Sequence, residues 1–196
     1  MEDFSTNKNY QNLLEKGRIL FWKHGIRRVT VEEICREAGV SKMTFYKFFP
    51  NKIDLGQTIL SQLMENALQE FHDLVERPIS FREKVQRMFE MKLEATKDIS
   101  TEFLNDAFSN PAYGLKEMME SYRNESLKTF VEFLRDAQKK GLIRKGIRIE
   151  FIMTYLNSLT QLVYDKELQA LYDHPQDLIM EAMNFMFYGL STPSDQ

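Results

Sequence analysis

The chain has 196 residues, 43% of them hydrophobic and 28% charged, a balance that suits one or two small folded domains and is too apolar for a disordered chain. Five Pro and eight Gly are too few for the many turns of a sandwich or barrel, and a single cysteine, Cys35, excludes an internal disulfide and a Cys-rich zinc site. The net charge of -3 is unevenly spread: residues 6–53 hold ten Lys and Arg against four Glu, and the rest of the chain is acidic. A basic amino-terminal quarter is the footprint of a polyanion-binding module, although chance clustering of solvated charge gives the same count.

In chain order the sequence predicts helices almost throughout. Tyr10, Leu13, Leu14, Leu20 and Phe21 recur at helical spacing over 7–24, with the small Gly17 between them and Gly25 as a stop. Thr30 and Glu33 form a capping box for a short helix whose stripe is Val31, Ile34, Cys35 and Ala38, and Gly39 ends it. Ser41 caps a third helix over 42–48, which Pro50 stops. Asn51 caps a fourth over 52–76. Ser80 and Glu83 open a helix to about residue 97, a shorter one fits 100–108, and a long one fits 112–140. Two final helices fit 148–172 and 176–189, and the tail 191–196 reads as frayed. The fold class expected is all-α, with domains at 1–53 and 54–196: a three-helix helix-turn-helix domain, then a helical bundle.

Residues 151–164 contain no charge, and neither do 182–190. Fourteen residues are too short to span a bilayer, and a helix with no charge on any face is normally covered all round by protein. Two such helices predict a four-helix interface between two copies of the chain. A central core helix in a monomer is the alternative.

The informative segment is 30–53. A short amphipathic helix, a tight turn at Gly39-Val40-Ser41 and a second short helix make a helix-turn-helix. Val40, Phe45 and Phe49 pack inward with Ile34 and Phe21, which leaves Lys42, Met43, Thr44, Tyr46 and Lys47 outward. Lys and Tyr suit phosphates, Thr suits base edges, and Met offers apolar contact.

With Leu20-Phe21, Gly25, Thr30-Val31, Ile34, Ala38-Gly39-Val40-Ser41, Thr44-Phe45-Tyr46, Phe49 and Asn51-Lys52, this quarter of the chain resembles the DNA-binding domain of the TetR/AcrR family of bacterial transcription regulators. The resemblance implies base-edge contacts for Lys42, Met43 and Thr44, and phosphate contacts for Thr30, Tyr46, Lys47 and Lys52, with Ser41 in the same set. Each has a plainer reading: Thr30 as a cap, Lys47 as solvated charge, Tyr46 as core. Met43 departs from the small residue or Pro common there, which leaves the operator sequence open.

The resemblance also implies an effector pocket in the carboxyl-terminal bundle. Met88, Met91, Phe103, Phe108, Tyr113, Met118, Tyr122 and Tyr155 are the candidates, since Met and aromatic side chains suit an apolar ligand. They equally suit an ordinary core. Enzyme signatures are absent. There is no HExxH, Cys-x-x-Cys or Gly-x-Gly-x-x-Gly, and Ile147-Arg148 follow Gly146 where a P-loop needs Lys-Ser/Thr. The expectation is a cytoplasmic homodimeric repressor, not an enzyme and without cofactor or metal, that leaves double-stranded operator DNA when a small apolar or aromatic molecule binds. The beginning, Met1-Glu2-Asp3-Phe4-Ser5, has no basic n-region and no apolar h-region, so neither a signal peptide nor a membrane partner is expected. The alternative is a helical-bundle binding protein whose basic end contacts protein or RNA.

Overall fold

In the computed structural model, residues 4–163 and 165–190 are described, except for the side chains of 160, 163 and 186–190. Expectations on residues 1–3, on Tyr164 and on the tail 191–196 lie outside them. The helices are α1 Lys8–His24, α2 Val31–Ala38, α3 Lys42–Phe48, α4 Lys52–Glu76, α5 Phe81–Ala95, α6 Thr101–Ser109, α7 Leu115–Lys139, α8 Ile149–Val163, α9 Lys166–Gln169 and α10 Pro175–Leu190, with a 3-10 turn at Pro111–Tyr113. No strand occurs among the described residues, so the fold is all-α as expected.

The helix starts follow local chemistry. Thr30 accepts from the Glu33 N–H while the Glu33 carboxylate accepts from the Thr30 N–H, and Ser80 and Glu83 do the same for α5. Asn51 Oδ1 accepts from the N–H groups of Ile53 (2.7 Å) and Asp54 (3.1 Å), which opens α4.

Three expected spans differ in the structure. The helix expected over 112–140 begins later, because Asn110 and Pro111 start a 3-10 turn and Gly114, at φ +62°, ends it. The Gln57 side-chain amide donates to the Tyr113 carbonyl at 2.9 Å and holds that turn. The helix expected over 148–172 is interrupted, because Asp165 accepts from the Leu168 N–H at 2.9 Å and caps the separate short α9. The helix expected to reach residue 97 ends at Ala95, where the Thr96 hydroxyl turns back to the Lys92 carbonyl at 2.8 Å.

The chain packs as two compact units, residues 1–66 with 98–121, and residues 67–97 with 122–196. In the first, Leu13, Phe21, Ile26, Val29, Ile34, Phe45 and Leu55 are fully buried, joined by Ala107 of α6 and Leu115 of α7. Gly17 is small for a packing reason: a Cβ there would lie 2.8 Å from a Leu55 methyl. In the second, Leu74, Met88, Phe130, Phe133, Leu134, Ile143 and Ile152 form the core, with Phe81 stacked on Phe133 at 5.2 Å. No helix among the described residues is long and apolar enough to cross a membrane.

Candidate nucleic-acid interface

α2 and α3 meet through a turn that their sequence dictates. Ala38 is buried at the contact and Gly39 adopts the left-handed conformation (φ 67°, ψ 34°) that a side chain would strain. Ser41 Oγ accepts from the Thr44 N–H at 3.1 Å and starts α3. Phe45 is completely buried and sets the rotation of this seven-residue helix. Phe49, just beyond, stacks on Tyr10 at 5.3 Å, while Phe48 meets Tyr10 and Phe4 edge-on.

With Phe45 inward, Lys42, Met43, Tyr46 and Lys47 face solvent. Met43 is 83% exposed and Tyr46 55%, far from what core side chains show. Thr44 is half-buried and its hydroxyl lies 2.9 Å from Ser41 Oγ, so one of the two hydroxyls donates to the other. Thr30 is exposed at the start of α2. The Lys47 ammonium lies 5.9 Å from the Phe48 ring centre, within cation–π range.

Two of the expected contact lysines already have ion-pair or hydrogen-bond partners. Lys42 pairs with Glu32 of α2, which holds the ammonium above its ordinary pKa and the carboxyl below its own. Both side chains are more than half exposed, where such a pair exchanges readily with another anion. Lys52 donates to the carbonyls of Arg27 (2.9 Å) and Val29 (2.6 Å), and burial lowers its pKa. An ammonium has three hydrogens, so these bonds leave one for a phosphate. Arg27 and Arg28 were not among the expected contacts. Both are exposed in the loop that leads through buried Val29 to Thr30, and Arg28 lies 3.7 Å from Glu33. Their adjacency within the basic quarter was the available signal.

The candidate effector residues do not form one group. Phe103 is buried in the first unit, its ring 4.3 Å from Trp22, and Phe108, Tyr113 and Met118 pack in the same core. Met88, Met91 and Tyr155 belong to the core of the second unit, and Tyr122 is half-buried there. A surface cleft of about 490 Å³ runs along the Asn124–Arg135 face of α7 beside Met153 of α8, and none of the eight lines it. Cys35 is buried in the stripe of α2, as expected of a packed thiol. Among the described residues no three His, Cys, Asp or Glu side chains are grouped to hold a metal.

A helix-turn-helix with this exposed polar face defines a DNA-binding regulator of transcription. Residues 13–57 match the family model described as bacterial regulatory proteins, tetR family. Over 157 residues the chain is 20% identical to the HTH-type transcriptional repressor KstR2 of Mycobacterium tuberculosis, covering 79% of this chain and 78% of that one. It is 24% identical over 134 residues to the uncharacterized HTH-type transcriptional regulator YhgD of Bacillus subtilis, covering 67% and 70%. The fold matches a putative transcriptional regulator from Saccharomonospora viridis, solved in complex with choline, at a TM-score of 0.72 and 19% identity over 93% of this chain and 97% of that one. The family likeness rests on residues 13–57, which match the tetR family of bacterial regulatory proteins, and beyond them the chain is similar to such regulators in fold.

Proposed function

We propose that the chain is a homodimeric repressor that reads an inverted-repeat operator through α3 and is released from it by a small molecule. The observation that carries the reading is the face of α3: Phe45 is wholly buried, and Lys42, Met43, Tyr46 and Lys47 are exposed on the same seven residues. Lys42, Met43 and Thr44 take base edges; Thr30, Ser41, Tyr46, Lys47 and the remaining Lys52 hydrogen take phosphates. A gel-shift against DNA flanking its own coding region tests this. A retarded band should weaken by orders of magnitude between about 50 and 200 mM salt, as expected for a dimer that contacts several phosphates in each half. Salt-independent binding, or binding to RNA alone, would reject the reading.

The dimer reading is supported by α8 and α10. Phe151 is 62% exposed and Phe185 69% exposed, and Tyr155 links them, with each ring centre 6.3 Å from the next. Rings this exposed on helices with so few charges are what a second subunit covers.

The effector reading draws on the choline-bound relative as an instance of a small molecule in this fold. For this chain the second-unit candidates Met88, Met91, Tyr122 and Tyr155 suit an apolar or aromatic molecule, and Phe103, Phe108, Tyr113 and Met118 remain candidates in the first. A ligand that binds the DNA-free form more tightly than the DNA-bound form lowers operator affinity. Lowering operator affinity tenfold requires only about 1.4 kcal/mol of differential binding. A hit from a thermal-shift screen should bind tenfold more weakly when operator is present, by reciprocity. Equal affinity with and without operator would show that the ligand does not regulate.

A further inference from the structure

The loop between α1 and α2 is held by a residue far outside the helix-turn-helix. The Arg27 N–H donates to Asp106 Oδ2 at 2.8 Å, and Asp106 lies on α6, 79 residues along the chain. The same loop's carbonyls, at Arg27 and Val29, accept from Lys52. Gly25, at φ +76°, lets the loop lie this close to α6: a Cβ there would come within 2.6 Å of Asp106 Oδ2 and 3.2 Å of the Glu102 carbonyl. α6 is itself fixed to α1 by the Ser100 N–H, which donates to the Trp22 carbonyl at 2.9 Å, and by Phe103 against Trp22.

This short loop carries Arg27 and Arg28, both exposed, and leads straight into Thr30. Whether a guanidinium reaches a phosphate depends on where its backbone is held, because a loop free to move has to be ordered at the moment of binding. A carboxylate beside such a loop is electrostatically unfavourable for DNA, since it repels the phosphates that the arginines attract. Its hydrogen bond to the Arg27 amide works in the opposite direction.

We infer that Asp106 is a positioning residue for DNA binding: its bond to the Arg27 amide fixes the loop that presents Arg27 and Arg28 to the DNA backbone. This rests on the reading of α3 and its neighbouring loop as the DNA-binding surface. Charge and geometry make opposite forecasts, which separates them. Asp106→Asn removes the negative charge but keeps an oxygen that accepts from Arg27. Asp106→Ala removes both.

The test measures the affinity of the full-length variants for the DNA fragment that the parent chain retards, over a range of salt. Asp106→Asn should bind at least as tightly as the parent. Asp106→Ala should bind about tenfold more weakly, the size of one hydrogen bond to a charged group. Its salt slope should also be shallower by about 1 for each phosphate that the arginines no longer reach. Hydrogen exchange at the Arg27 amide should be slow in the parent and in Asp106→Asn, and fast in Asp106→Ala. If Asp106→Ala does not fold, Asp106→Ser, too short to reach the amide, takes its place with the same expectation. Equal affinity and equal salt slope in the Asn and Ala variants would overturn the inference, as would an Asn variant as weak as the Ala variant. Tyr46→Ala, run alongside, keeps the two levels apart: if it binds like the parent, the DNA-binding surface itself is misassigned.

Discussion

Phe151→Glu and Phe185→Glu are each expected to convert the protein to a folded monomer that no longer binds a specific DNA site. Both rings are more than 60% exposed on the single chain, so a carboxylate at either position costs the monomer little. In a dimer that buries α8 and α10 the same carboxylate sits unpaired in an apolar contact, where burying it costs several kcal/mol. Breaking the dimer then removes one of two half-sites. Specific binding by such regulators exceeds non-specific binding by roughly 10³–10⁷-fold, and an isolated half forfeits most of that margin. Sedimentation velocity and a gel-shift read the two effects together. A parent chain that sediments as a monomer at micromolar concentration, or a Phe185→Glu variant that remains a dimer, would overturn the α8–α10 interface. The operator of a two-fold protein should be an inverted repeat, its half-sites one helical turn or a multiple apart, about 34–36 Å.

Thr44→Ala and Tyr46→Ala are expected to fold and to bind operator poorly. Tyr46 is more than half exposed, so removing its ring leaves no cavity in the core. Thr44 loses a hydroxyl that also touches Ser41 Oγ, but the Ser41 cap to the Thr44 N–H survives. Without these side chains on base edges or phosphates, binding should weaken by about 1–3 kcal/mol per half-site, and a dimer carries the effect twice. Equilibrium binding at fixed salt together with circular-dichroism melting checks both parts. Full operator affinity in both variants would reject α3 as the recognition helix. Phe45→Ala is the contrasting case: it empties the core of the first unit, so its loss of binding would report unfolding instead.

Much of the architecture was legible because it is set by neighbours in sequence. A capping box needs residues three apart, a stripe needs residues three and four apart, and a left-handed turn needs a glycine. Thr30 to Glu33, Ser80 to Glu83, and the Gly39 turn are of this kind. The misread boundaries are where two local signals competed. Gly114 sits inside a stretch whose hydrophobic spacing continues as a helix, and the Asn110 cap on the Ala112 N–H together with the Gln57 bond to the Tyr113 carbonyl marks the turn. Asp165 reads equally as a charge on a long helix or as a cap for a new one, and its bond to the Leu168 N–H decides.

From sequence alone came the helical class, the helix-turn-helix, and the outward face of α3 at Lys42, Met43, Tyr46 and Lys47, because these rest on periodicity and spacing; Thr44, expected outward as well, is half-buried. The tertiary structure decided what those side chains touch. Lys42 meets Glu32 across the turn, Lys52 meets two carbonyls more than 20 residues earlier, and Asp106 reaches the Arg27 amide from α6. It also divided the eight effector candidates between two units, which composition presents as one Met- and aromatic-rich pool. The physical reason is the same in each case. Hydrogen bonds and packing act over a few ångströms in space, whereas sequence reports only distance along the chain, so it shows which groups are available and not which of them meet.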